Sequence, residues 1–191
     1  MLILKNKYYL YIENTRTFNL KLIKVKNKFV IIYRNNKKQE DIRALKIFRL
    51  ECKRRSIAFF IANNVKLCRK VKADGLYISA YNKSLNSLFL KTVDFSIIGS
   101  AHNFREIALK RRQGCDKIIL SRLFKTDYLK KTSFFGIVKF NLIIKNLGAS
   151  FIPLGGIRYK NLGKLKLVNS SAFAILSDIK KKPANIINRL F

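Results

Sequence analysis

The stretch from Phe95 to Thr126 leaves this chain few folds to choose from. Phe95-Ser96-Ile97-Ile98-Gly99 is a short apolar run of the kind shown by a strand buried on both faces. Ser100-Ala101-His102-Asn103 interrupts it. A helix follows, with Asn103 as its N-cap and Glu106 three residues on to close a capping box. Phe104, Ile107 and Ala108 share one helix face, while Arg105, Lys110, Arg111 and Arg112 occupy the rest. Gly114 stands where a left-handed residue ends a helix. Lys117 to Leu120 is a second buried strand, and the polar turn Lys125-Thr126 lies beyond Phe124. Strand, capped helix and strand make a βαβ unit, and a helical crossover joins parallel strands. Its polar groups, Ser100, His102 and Thr126, fall at strand C-terminal ends, where α/β sheets place their chemistry.

Similar units lie on both sides. Tyr8 to Ile12 and Phe29 to Tyr33 are the first two strands, with only a weak helical pattern from Glu13 to Lys28 between them. A longer amphipathic helix over Lys38 to Arg55 leads to the third strand, Ile57 to Ala62, which ends in Asn63-Asn64. Val65 to Val71 is a short helix closed by Asp74-Gly75, and Leu76 to Ser79 is the fourth strand. The central unit supplies the fifth and sixth. Ile137 to Leu147 is a helix ended at Gly148, and Phe151 to Leu154 is the seventh strand, running into Gly155-Gly156-Ile157. A helix around Asn161 to Leu167 precedes the eighth strand, Ala172 to Leu176, and a last helix covers Pro183 to Phe191. Eight strands alternating with helices in one domain over residues 1–191 predict a (β/α)8 TIM barrel, slightly trimmed. A doubly wound open sheet is the alternative. No strand is followed by Gly-x-Gly-x-x-Gly, so a dinucleotide site has no support.

Charge bears on the partner. The net charge of +31 suits a polyanion such as nucleic acid or an anionic membrane. No single tract carries it, however, and Lys, Asn, Ile and Phe are enriched together throughout, as base composition can produce. A basic nucleic-acid-binding protein is therefore the remote reading. The three cysteines, Cys52, Cys68 and Cys115, lack metal-ligand spacing and read as thiols of a reducing cytoplasm. Lys5 and Lys7 interrupt the first apolar stretch, so no signal peptide is expected. No apolar run approaches the ~18 residues of a membrane span. A cytoplasmic location follows as the expectation.

Several motifs come in one order: Asn63-Asn64, Ala73-Asp74-Gly75-Leu76-Tyr77-Ile78, Ile98-Gly99-Ser100-Ala101-His102, and Gly114-Cys115-Asp116. Thr126 with Lys130-Lys131, Gly155-Gly156-Ile157 and Ala174-Ile175-Leu176-Ser177 complete the series. Together they resemble the thiamine phosphate synthase/TenI family of TIM barrels, over Phe29 to Ile179. The resemblance implies thiamine biosynthesis: a transferase joining hydroxymethylpyrimidine diphosphate to thiazole phosphate, with release of diphosphate. It implies small phosphorylated substrates as partners and leaves the oligomeric state, a homo-oligomer included, open. By position it makes Arg34 the diphosphate arginine, and a planar, permanently charged guanidinium suits phosphate oxygens. Asn63 then lies near the pyrimidine and diphosphate. Ser100 is the serine of the Ser-Ala-His motif, and Thr126 and Lys130 belong to a differently spaced loop after the sixth strand. Gly155, Gly156 and Ser177 form a backbone cradle for the thiazole phosphate.

The departures concern the metal. The family's synthases hold Mg2+ with two aspartates, and Asn64 and Asn82 stand at those places. An amide offers one carbonyl oxygen and no charge, a poor ligand for a hard cation. The residues flanking the diphosphate arginine are also changed, to Ile32 and Asn36. Arg34, Lys37, Lys38, Lys130 and Lys131 are the cations that remain to neutralise phosphate, unless the lysines merely form a solvated rim. His102, the only histidine, matches by the resemblance the acid/base histidine of TenI-type thiazole tautomerases, which the synthases carry too. A tautomerase or a non-catalytic phosphate-binding barrel is accordingly the alternative, and a zinc site is not expected.

Overall fold

The computed structural model describes residues 5–16, 18–35, 41–85, 95–126, 133–147, 150–176 and 187. Its strands are β1 (Lys7–Ile12), β2 (Phe29–Tyr33), β3 (Ala58–Ala62), β4 (Gly75–Ile78), β5 (Ser96–Ala101), β6 (Lys117–Ser121), β7 (Ser150–Leu154) and β8 (Ala172–Ile175). They pair in chain order, every pair parallel, and β8 closes on β1. The TIM barrel is therefore present and the open sheet is excluded. Its helices are α1 (Ile42–Arg54), α2 (Val65–Val71), α3 (Phe104–Arg112) and α4 (Gly136–Leu147).

Strand alternation sorts the apolar residues into two cores. Tyr9, Tyr11, Val30, Ile32, Phe60, Tyr77, Ile98, Ile119, Ile152, Ala172 and Ala174 fill the barrel. Their neighbours in sequence, such as Leu10, Ile31, Phe59, Leu76, Ile118 and Phe173, pack outward against the helices. Each large side chain so buried contributes roughly 1.5–3 kcal/mol of transfer free energy. Both strand faces are apolar, which is why the strands read as unbroken runs. Phe60 needs Gly75: a Cβ there would lie 2.1 Å from the phenyl Cε1.

Two motifs of the resemblance turn out to be staples at the barrel's N-terminal end. Asp74 donates its N–H to the Phe59 carbonyl at 2.9 Å and accepts the Phe59 N–H on Oδ2 at 2.8 Å. Asp116 does the same to Ile97, at 2.8 and 2.9 Å. Each carboxylate thus ties the start of one strand to the strand before it, and Asp74 also pairs with Arg49 at 2.6 Å.

Local expectations fared unevenly. Between β1 and β2 the described residues form only a 3-10 turn, Leu20–Leu22, and the segment before β8 is a 3-10 run, Tyr159–Leu167, in place of the helix expected around Asn161. Gly114 ends α3 with φ +80°, as its position implies. The capping box is modified. Asn103 accepts the Glu106 N–H at 2.9 Å, but the Glu106 carboxylate reaches one residue further back, to the His102 N–H at 2.7 Å. Lys37, Lys38, Lys130, Lys131, Gly148, Ser177 and most of the segment Pro183 to Phe191 lie outside the described residues.

Candidate active site

Because all strands of the closed barrel are parallel, their C-terminal ends share one mouth. Arg34 follows β2, Asn63 follows β3, Ser100 ends β5 with Ala101, His102 comes next, Thr126 lies beyond β6, and Gly155 and Gly156 follow β7. All therefore stand at the same end of the barrel, but they form separate groups within it.

The first group is built on tyrosines. Tyr11 and Tyr77 meet edge to face across the barrel, with ring centroids 5.4 Å apart, and plug it beneath the mouth. The Tyr77 hydroxyl donates to Ser100 Oγ at 2.8 Å. The Tyr11 hydroxyl is buried and has no hydrogen-bond partner among the described residues. Burial pushes both phenols up, Tyr11 well above its ordinary value, so both are neutral at pH 7. Ser100 is thus a buried part of the floor. Arg34 lies above it: its guanidinium stacks 5.9 Å from the Tyr81 ring centroid, and its Nε is buried with no hydrogen-bond partner among the described residues. Buried donors are seldom left so.

Asn63 ties β3 to the loop after β4. Its backbone is left-handed, with φ +58°. Its Oδ1 accepts from Ser79 N (2.9 Å), Ser79 Oγ (3.0 Å) and Asn82 Nδ2 (3.2 Å), while its Nδ2 donates to the Tyr81 hydroxyl at 3.1 Å. That loop is held from below by Lys110 of α3, whose side chain is 0% exposed. Its ammonium donates at 2.8 Å to the carbonyls of Ser79 and Asn82 and to Gln113 Oε1. Gln113 Nε2 donates to the Asn82 and Ser84 carbonyls at 2.9 and 2.7 Å. Gly99 makes room for the lysine stem, since a Cβ there would meet Lys110 Cγ and Cδ at 2.9 Å.

The second group joins the loops after β6 and β7. Arg122 Nη1 donates to the Thr126 hydroxyl at 3.3 Å. Gly155 and Gly156 are left-handed, at φ +98° and +67°. A Cβ on Gly155 would meet Arg122 Cγ at 2.8 Å, and one on Gly156 would meet the carbonyl oxygens of Lys125 and Phe124 at 2.5 and 2.6 Å. These glycines let the two loops touch. His102 belongs to neither group. Its imidazole, 45% exposed, turns to its own helix start, where Nδ1 lies 2.9 Å from Glu106 Oε2. A carboxylate only accepts, so Nδ1 carries a proton and Nε2 is directed elsewhere.

The residues at the magnesium positions do not fit a hard divalent cation. Asn64 Oδ1 caps α2 by accepting the Leu67 N–H at 2.9 Å, and Asn82 Oδ1 accepts the Ser84 N–H at 3.0 Å. Among the described residues no three His, Cys, Asp or Glu side chains gather. A cavity of about 770 Å3 lies at the opposite end, between α4 and the first residues of β1, β6, β7 and β8, away from every mouth residue. Sequence reasoning missed Tyr11, Tyr77, Tyr81, Arg122, Lys110 and Gln113. The alternation Tyr9, Tyr11 and the motif residue Tyr77 were signals for the inward tyrosines; Tyr81, Arg122, Lys110 and Gln113 had none.

Comparison with known proteins agrees with this architecture. A family model described as thiamine monophosphate synthase (TMP-TENI) matches residues 12–179. The thiamine-phosphate synthase of Prochlorococcus marinus strain AS9601 is 28% identical over 130 residues, which are 67% of this chain and 37% of that protein. The thiamine-phosphate synthase of Thermoplasma acidophilum is 26% identical over 159 residues, 81% of this chain and 73% of that protein. The aligned part thus spans well under half the length of the Prochlorococcus relatives, 37% and 41% in two of them. Thiamine phosphate pyrophosphorylase from Pyrococcus furiosus superposes with a TM-score of 0.74 at 16% identity, covering 98% of this chain and 94% of that one. KGPDC from Streptococcus mutans has the same fold, with a TM-score of 0.63 at 12% identity, covering 97% and 95%. Among the described residues no helix is long and apolar enough to cross a membrane.

Proposed function

This chain belongs to the thiamine monophosphate synthase family, and on that premise we propose that it is a thiamine phosphate synthase-like transferase that joins hydroxymethylpyrimidine diphosphate to thiazole phosphate. One observation carries the reading: Arg34 holds a buried Nε with no hydrogen-bond partner among the described residues, at the barrel mouth. An oxyanion is the ligand that would satisfy it, with a charge-assisted bond worth more than a neutral one. As the bond to the pyrimidine breaks, its electron pair leaves with the diphosphate, and the thiazole takes the vacated carbon. Charge therefore grows on the diphosphate in the transition state, where a fixed guanidinium stabilises it most. The Tyr77–Ser100 pair supports the pyrimidine side as a neutral floor. Arg122, Thr126 and the two glycines form the opposite wall, on which we place the thiazole phosphate. Lys130 and Ser177, outside the described residues, are assigned to the same phosphate by the resemblance alone. With amides whose oxygens are already engaged, the reading assigns no step to a metal.

A second reading, a TenI-like tautomerase, rests on His102 and Glu106. A carboxylate that orients an imidazole leaves Nε2 to exchange a proton with a ligand. A coupled assay with both substrates, with Mg2+ and with chelator, separates the two. The transferase reading expects thiamine phosphate under both conditions. No product under either condition overturns it, and proton exchange on the thiazole that His102→Gln abolishes then supports the tautomerase.

A further inference from the structure

We propose that Lys110 and Gln113 are positioning residues of this site: a buried clamp that sets Tyr81 over Arg34 from behind the barrel wall. The inference rests on the function proposed above. From α3 and its C-cap residue, the clamp's two side chains grip three carbonyls of the Ser79–Ser84 loop: Ser79 and Asn82 from the ammonium, Asn82 and Ser84 from the amide. The loop's other face is fastened to Asn63 by Ser79 and Asn82, and Asn63 in turn holds the Tyr81 hydroxyl. Tyr81, otherwise exposed, carries its ring to the Arg34 guanidinium. Every link from Lys110 to Arg34 is therefore a direct contact.

Packing alone does not account for an ammonium here. An aliphatic residue at position 110 would face the same wall with no charge to desolvate, and buried ions seldom improve stability over apolar replacements. What the ammonium adds is direction: three acceptors at 2.8 Å around one nitrogen fix where the loop's carbonyls stand. The amide repeats the grip at Asn82 and extends it to Ser84. Gly99 is part of the device, since a side chain there would displace the lysine stem. A loop fixed in advance presents Arg34 to an anion without an ordering cost at binding.

The test measures inorganic diphosphate binding by calorimetry, with Gln113→Leu, Tyr81→Leu and the double variant. The expectation is that the unmodified protein binds. Each single change should weaken binding on the order of tenfold, and the double variant should be no weaker than either single one, because both act through the same ring. Folded Gln113→Leu with unchanged affinity, or losses that add, overturn the clamp as a positioning device. Amide exchange supplies a second readout. In the free, unmodified protein the N–H groups of Ser79, Asn82 and Ser84 should be protected, and in Gln113→Leu they should exchange faster than those of β4. Rapid exchange of these amides in the unmodified protein also overturns the clamp, even if Gln113→Leu fails to fold. If the unmodified protein binds no diphosphate, the proposed function falls, and the exchange experiment alone decides whether the loop is held.

Discussion

At the scale of single residues, Arg34 and Gly156 make opposite demands. In the proposed function the Arg34 guanidinium serves a ligand, and its buried Nε has no protein partner among the described residues. Arg34→Gln should abolish diphosphate binding in calorimetry while leaving the melting temperature within a few degrees, and retained binding would show that the anion sits elsewhere. Gly156 is invested in the fold. Its place in the phosphate cradle that the resemblance implies leads one to expect Gly156→Val to weaken binding and leave the fold largely intact. The structure corrects that expectation, because the new Cβ would strike two backbone oxygens at 2.5 and 2.6 Å and the φ of +67° is hostile to a β-branched residue. Gly156→Val should therefore lose about 2–4 kcal/mol of stability by denaturant titration, along with any binding. A stable variant would mean that the loops part at little cost.

Among the elements, the proposed function divides the two ends of the barrel between stability and chemistry. Asp74 and Asp116 were read as parts of the same motif series as Ser100 and His102, yet they staple strands at the far end. Asp74→Asn and Asp116→Asn keep the shape but weaken a charge-assisted bond to a backbone N–H. Each should cost about 1–2 kcal/mol and leave diphosphate affinity of the folded protein unchanged. Loss of affinity at undiminished stability would contradict the division. The two asparagines that stand where the resemblance expects magnesium ligands differ in what they hold. Asn64 is fully occupied as an N-cap, so Asn64→Asp is tolerated there, whereas Asn82→Asp would set a carboxylate against Asn63 Oδ1 and the loop it holds.

For the molecule as a whole, burial ties stability to alkaline pH. Burial raises Tyr9, Cys52 and Cys68 to about 12 each, and Tyr8, Tyr11 and Tyr77 move in the same direction. Between the ordinary and the raised values the unfolded chain has lost protons that the folded chain keeps. Stability is then fully present below about pH 9 and falls as pH rises toward 12, by up to ~1.4 kcal/mol per unit for each group. Lys5 and Lys110, lowered by burial, act in the opposite sense but are fewer. Thermal melts from pH 8 to 11 should show a steepening loss. A flat profile would mean that these groups reach solvent in the folded state. Alkylation offers a parallel check: half-buried Cys115 should react well before Cys52 and Cys68.

The barrel was legible in the chain because periodicity and helix boundaries are local. Runs such as Phe29–Tyr33 and Ile118–Leu120 announce strands buried on both faces, and Asn103, Glu106 and Gly114 mark a helix start and stop within a few residues. Once the strands are known to be parallel, the shared mouth of Arg34, Asn63, Ser100, His102 and Thr126 follows without coordinates. Side-chain partners do not follow, since they join residues far apart in sequence. Lys110 looked like a solvated lysine on a helix's polar face, and only folding brings Ser79, Asn82 and Gln113 around it. Tyr81 reaches Arg34 only because the β4 loop is fastened to Asn63. His102 sits at the mouth by sequence but faces Glu106 by structure. Local sequence determined where each polar group stands along its strand; packing between distant segments decided which way it points and what it touches.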